Sequence, residues 1–130
     1  MKRKLVIVPF SLLVTLIFSS CATGIDESEV APIYYNLGNA YMELGDYEKA
    51  SEAFTQAIAL DETLSKATFN LAKVYIEQKN YEEAVILLEG FLEDEPENSI
   101  ILSTLGYVYS LLGDDETAVG IYDQIIRQIV

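Results

Sequence analysis

The sequence predicts an all-α protein in which three helix–turn–helix units stack side by side into a solenoid. Three observations lead there. The stretches YYNLGNAYMELGDYEKASEAF from Tyr34, TFNLAKVYIEQKNYEEAVILL from Thr68 and LSTLGYVYSLLGDDETAVGIY from Leu102 align without gaps at a spacing of 34 residues, and a fixed period of that size marks a repeat architecture. Within a unit, Leu37, Tyr41 and Leu44 recur at i, i+4 and i+7, which makes one apolar stripe on a helix. Finally, 130 residues with 51% hydrophobic content leave room for one domain with a packed core and are too apolar for a disordered chain.

The elements follow in chain order. Met1 to Lys4 form a positive cluster, Leu5 to Phe18 carry no charge, and Ser19, Ser20 and Cys21 close the run. A basic start, an apolar centre and small residues before a break form the three-part layout of an export signal. The apolar run of 14 residues would make about 21 Å of helix at about 1.5 Å per residue. A bilayer core is about 30 Å thick, so the run is short for a span, and Pro9 weakens it further.

Phe18, Ser19, Ser20 and Cys21 resemble the end of the bacterial lipoprotein signal, which closes on an apolar residue, two small residues and an obligatory cysteine. Phe18 stands where leucine is usual. The resemblance implies a signal peptide over residues 1–20, removed on export, with Cys21 carrying a thioether-linked diacylglycerol and often an acylated amine. Two or three acyl chains hold a protein stably where one holds it marginally. An ordinary cleaved signal and an uncleaved anchor are the other readings of this segment. A lone cysteine cannot close an internal disulfide, and with no histidine in the chain it has no imidazole base to activate it as a nucleophile. Under the enterobacterial sorting rule Ala22 permits export to the outer membrane. The implied location is therefore the bacterial cell envelope, lipid-anchored at the outer membrane and facing the periplasm. Residues 21–30 are expected as the lipidated cysteine and a flexible acidic tether, with Ala22 to Val30 reaching about 15–20 Å.

The units are 31–64, 65–98 and 99–130, the third two residues short and uncapped. Leu37, Leu71 and Leu105 correspond, as do Tyr41, Tyr75 and Tyr109. Gly38, Ala72 and Gly106, with Ala50, Ala84 and Ala118, are small enough for the two helices of a hairpin to approach closely. Phe54, Leu88 and Tyr122 are the large apolar partners. Gly45 suits a left-handed helix end and Asp46 caps the next helix. Asn80 with Glu83 has capping-box spacing, Asp114 to Glu116 suit a positive helix N-terminus, and Pro96 separates the second and third units.

This pattern resembles the tetratricopeptide repeat, over everything after the tether. The resemblance implies a right-handed superhelix whose first helices line a concave groove. Ala57 keeps the small residue usual late in the second helix, but Phe91 and Ile125 do not, so they must widen the packing or fill a different space. By repeat position the partner-binding groove is lined by Tyr35, Asn39, Met42, Phe69, Asn70, Lys73, Ile76 and Tyr107, with Lys66, Ser103, Thr104 and Ser110 beside them. A subset of the family grips the carboxylates of chaperone tails with two asparagines and three cations. Asn39 and Asn70 match the asparagines, but the cation positions hold Tyr35, Ile100 and Thr104, so binding of such tails is not expected. Aromatics and amides in that arrangement suit a peptide segment.

On the last predicted helix Val119, Tyr122, Ile126, Ile129 and Val130 form an apolar stripe. Such a patch marks an interaction site, with self-association, docking onto another envelope protein and truncation of the chain as the competing explanations. Acidic residues outnumber basic ones 21 to 8, for a net charge of −13. That charge repels phosphate backbones, so no nucleic-acid partner is expected. Catalysis has little to work with: there is no histidine, no glycine-rich phosphate loop and no Cys/His cluster, so no enzyme, no metal and no cofactor is expected. The resemblance points to a membrane-anchored protein–protein adaptor in envelope complex assembly. The alternative is a ligand-binding partner of a solute transporter, forming an oligomeric pore.

Overall fold

A computed structural model describes residues 26–130. The expected signal segment and Cys21 lie outside the described residues. Six helices follow one another: α1 Glu27–Glu43, α2 Tyr47–Leu60, α3 Ser65–Glu77, α4 Tyr81–Asp94, α5 Ser99–Leu112 and α6 Asp115–Ile129. Each packs on its neighbours in sequence, and α1 also touches α3, so the helices form antiparallel hairpins leaning on one another. No strand occurs among the described residues. The fold is an all-α repeat solenoid, as the sequence predicts.

The hairpin turns share one geometry. The N–H of Gly45 donates to the carbonyl of Met42 and that of Asp46 to Tyr41. The pairs Lys79 to Ile76 with Asn80 to Tyr75, and Gly113 to Ser110 with Asp114 to Tyr109, repeat it. This double bond pattern satisfies helix-end carbonyls and needs a left-handed residue. Gly45 and Gly113 supply it at φ 72° and 80°, whereas the middle unit uses Lys79 at φ 64°. A side chain there costs about 1–2 kcal/mol relative to a right-handed conformation.

Asp46 caps α2 through the Lys49 N–H at 3.3 Å and also takes the Lys49 ammonium at 2.6 Å. Asp114 caps α6 through the Thr117 N–H and hydroxyl. The capping box expected at Asn80 does not form: Asn80 sits at the N-cap of α4 but its side chain makes no cap bond. The position is exposed, so water can satisfy the helix amides in its place. Asn98 does cap, accepting from the N–H groups of Ile100 and Ile101.

The helix α1 begins at Glu27, inside the stretch expected as tether. Asp26 and Glu29 put negative charge where a helix N-terminus is positive, a stabilisation that apolar periodicity does not display. Pro32 lies within α1 and removes one backbone bond there.

Two clusters make the core. The first joins Ala50, Phe54 and Ala57 of α2 to Ala67, Leu71 and Val74 of α3. The second joins Ala72 of α3, Ala84 and Leu88 of α4, and Ile101, Leu105 and Val108 of α5. Sizes match across the hairpins. A β-carbon on Gly38 would lie 2.6 Å from the Phe54 ring, and one on Gly106 would lie 3.0 Å from Tyr122. Where Leu88 replaces the ring, Ala72 replaces the glycine, and both are fully buried. Phe91 and Ile125 are only half-buried; they fill space at the edge of the hairpin rather than its middle. The Tyr109 hydroxyl donates to Glu89 at 2.8 Å, and this bond, more than burial, pushes the phenol pKa upward.

Candidate functional site

The groove is built by helical spacing. On α3, Lys66, Phe69, Asn70, Lys73 and Ile76 recur every three or four residues on one face, while Ala67, Leu71 and Val74 are turned into the core. Phe69, Lys73, Ile76 and Glu77 of α3 and Thr104 and Tyr107 of α5 line a cleft of about 280 Å³. A neighbouring cleft of about 230 Å³ is lined by Ser65, Lys66, Phe69, Phe91, Glu95, Asn98, Ile100 and Ile101. Phe69 belongs to both, so the two form one apolar-floored channel open to solvent. Tyr107 is 51% exposed on its rim.

Toward α1 the groove continues as two side-chain pairs. The Lys66 ammonium sits 4.5 Å from the centroid of the Tyr35 ring, a cation–π contact of about 0.5–1 kcal/mol at an exposed site. Asn70 Nδ2 donates to Asn39 Oδ1 at 2.7 Å. The Tyr35 ring also rests against Phe54, 5.9 Å between centroids.

Four of the residues read from repeat position, Phe69, Lys73, Ile76 and Tyr107, share one cleft. Tyr35, Asn39 and Asn70 form the adjoining pairs. Met42 is half-buried and packs against the first core cluster, as Tyr35 does. Sequence reading missed Glu77, Phe91 and Glu95. Phe91 had a signal, a bulky residue where the repeat keeps alanine; the two glutamates had none among so many acids. Lys66 and Lys73 stand on this face with Glu77 and Glu95 beside them, so the clefts carry both signs of charge. No group of acidic or cysteine ligands able to hold a metal occurs among the described residues, and none of their helices is long and apolar enough to cross a membrane.

Val119, Tyr122, Ile126 and Ile129 lie on the outward side of α6 and are all exposed. At the other end Tyr34, Leu37 and Tyr41 of α1, with Lys49, Ser51, Glu52, Ala53, Thr55 and Gln56 of α2, surround an open cleft of about 460 Å³.

Stacked helical hairpins with a side-chain-lined concave face define a protein-interaction module of the helical repeat class. Tetratricopeptide repeat models match residues 31–64 and 69–129, and the chain belongs to the tetratricopeptide repeat family. An uncharacterized lipoprotein of Treponema pallidum (strain Nichols) is 28% identical over 107 residues, 82% of this chain and 55% of that protein. The photosystem I assembly protein Ycf3 of Synechococcus sp. (strain CC9605) is 29% identical over 66% of this chain and 51% of its own length. The chain thus spans about half the length of these curated relatives. Among solved structures, MamA superposes with a TM-score of 0.69 at 25% identity, over 75% of this chain and 57% of that one. The second TPR of Spaghetti (RPAP3), solved bound to an HSP90 peptide, superposes with a TM-score of 0.68 at 24% identity over 76% of this chain and 92% of that one; this likeness concerns the fold alone.

Proposed function

We propose that the chain is a lipid-anchored, non-catalytic adaptor of the bacterial cell envelope that holds a segment of another envelope protein in its groove during complex assembly. The observation that carries this reading is the channel of Phe69, Ile76 and Tyr107 flanked by Lys66 and Lys73. An extended or helical segment that sets apolar side chains on that floor, a carboxylate by the lysines and a cation by Glu77 or Glu95 would match it. The anchoring rests on Phe18 to Cys21 and on the similarity to a protein described as a lipoprotein; Ala22 favours the outer membrane. A transporter partner closing a pore around a metabolite would need an enclosed pocket. The groove clefts lie open to solvent instead of being enclosed. They suit a laid-in segment better.

A photoreactive residue at Tyr107 should couple to a discrete envelope protein in intact membranes. Phe69→Ala with Lys73→Glu should abolish that adduct, and an adduct that survives both changes rules the groove out. Cys21→Ala should leave an unprocessed precursor without fatty-acid label; label that persists refutes the anchor.

A further inference from the structure

A cleft of about 270 Å³ lies between α3 and α4, lined by Thr68 of α3, by Ile86, Gly90 and Phe91 of α4, and by Glu62 and Asp94 at its rim. It meets the groove at Phe91, which lines both, but Ile86 and Gly90 belong to this cleft and not to the groove. Ile86 is 68% exposed. The repeat does not require it: one period earlier stands Glu52 and one period later Gly120. Nor does the repeat require Gly90, whose counterparts are Gln56 and Gln124. A glycine inside a helix weakens it, and no packing compensates here, since a β-carbon would meet nothing within 4 Å. The two departures stand one turn apart on one helix. The cleft belongs to the middle hairpin, with α2 packed on α3 and α5 packed on α4. Both neighbouring units are therefore in place and leave Ile86 uncovered, and a further unit at either end of the chain would stack beyond them.

We propose that this cleft is a second docking site, independent of the groove, and that its occupant is a basic, apolar helix of another protein. Ile86, Gly90 and Asp94 follow one another at i, i+4 and i+8, which makes them one ridge of α4. Gly90 is a notch in that ridge. A large side chain of a crossing helix drops into the notch while the two backbones draw close, and Ile86 and Phe91 give it an apolar wall. Charge then selects the guest. Glu62 and Asp94 are exposed, and among the described residues neither carboxylate has a hydrogen bond or ion pair and no basic residue lines the cleft. A lysine or arginine within a turn of the inserted side chain complements them. Nucleic acid or anionic lipid would set phosphates against those carboxylates, and a second copy would bring its own net charge of −13.

The test places a photoreactive phenylalanine at position 86 of the full chain in isolated membranes and sequences the segment it joins. The adduct should fall on a helix of another protein that carries lysine or arginine within a turn of a large apolar residue. Gly90→Leu fills the notch without changing charge and should cut the yield about tenfold. Glu62→Gln with Asp94→Asn should lower the yield and remove its dependence on salt. Phe69→Ala with Lys73→Glu, which spoils the groove, should leave the adduct in place, so that failure of one site is told apart from failure of the other. Loss of the adduct with the groove change would make the cleft an extension of the groove and overturns the proposal. So does an adduct on an acidic segment, on lipid or on a second copy, an undiminished yield in Gly90→Leu, or no adduct at all. Circular dichroism checks the fold of each variant. If Gly90→Leu loses helix, Gly90→Gln, the residue of the other two units at that position, replaces it.

Discussion

The helices α1 and α3 carry the same leucine at the same repeat position and treat it differently. Leu71 sits beneath α2 with almost no contact with water, while Leu37 has no helix over it among the described residues. The small-to-large pairs show the same contrast. Gly38 faces a Phe54 ring fixed on all sides, whereas Gly106 faces a Tyr122 that is partly free. In a repeat protein the residue type reports the unit it was built for; its energetic weight is set by whether a neighbouring unit is there.

The leucine pair should show this most strongly. Leu71→Ala should cost about 2–5 kcal/mol by emptying a buried site, and Leu37→Ala less than about 1 kcal/mol, both read from denaturant unfolding. Equal losses would mean that Leu37 is covered as Leu71 is. The glycines come next. Gly38→Ala should cost about 1–3 kcal/mol by overpacking, and Gly106→Ala should cost less, because the Tyr122 ring can swing outward. The turns sharpen the comparison from the stabilising side. Lys79→Gly should add about 0.5–1 kcal/mol by removing a left-handed lysine, raising the melting temperature without altering helix content.

The smallest effect is at the caps. The Lys49 ammonium bonded to Asp46, and the Thr117 hydroxyl bonded to Asp114, hold those carboxyls below their ordinary value of 3.8. A depressed folded-state pKa gives stability that is full above the unfolded value and fades as pH falls through the folded one. Thermal melts should therefore drop at the acid end, and Asp114→Asn should flatten that drop.

The repeat period, the hairpins, the left-handed Gly45, the Asp46 cap and the acidic helix start at Asp114 were legible because each is a local rule written in one or two residue types. Lys79 was not, since only its place between Gly45 and Gly113 reveals the conformation imposed on it. Asn80 has the residue spacing of a capping box, but spacing does not specify where a solvated side chain points. For the groove, the resemblance to the repeat family, carried over by repeat position, placed Phe69, Lys73, Ile76 and Tyr107 on one face of the first helices. It could not show that Phe91 reaches the channel from a second helix, since that depends on how neighbouring units lean.

The bond between Asn39 and Asn70 has a consequence for choosiness. Each amide already spends part of its bonding capacity on the other. The Asn39 amino group and the Asn70 carbonyl oxygen keep their capacity for a guest, each held at the angle that this bond sets. A main chain that presents its own groups at those angles is accepted, and one that does not is turned away.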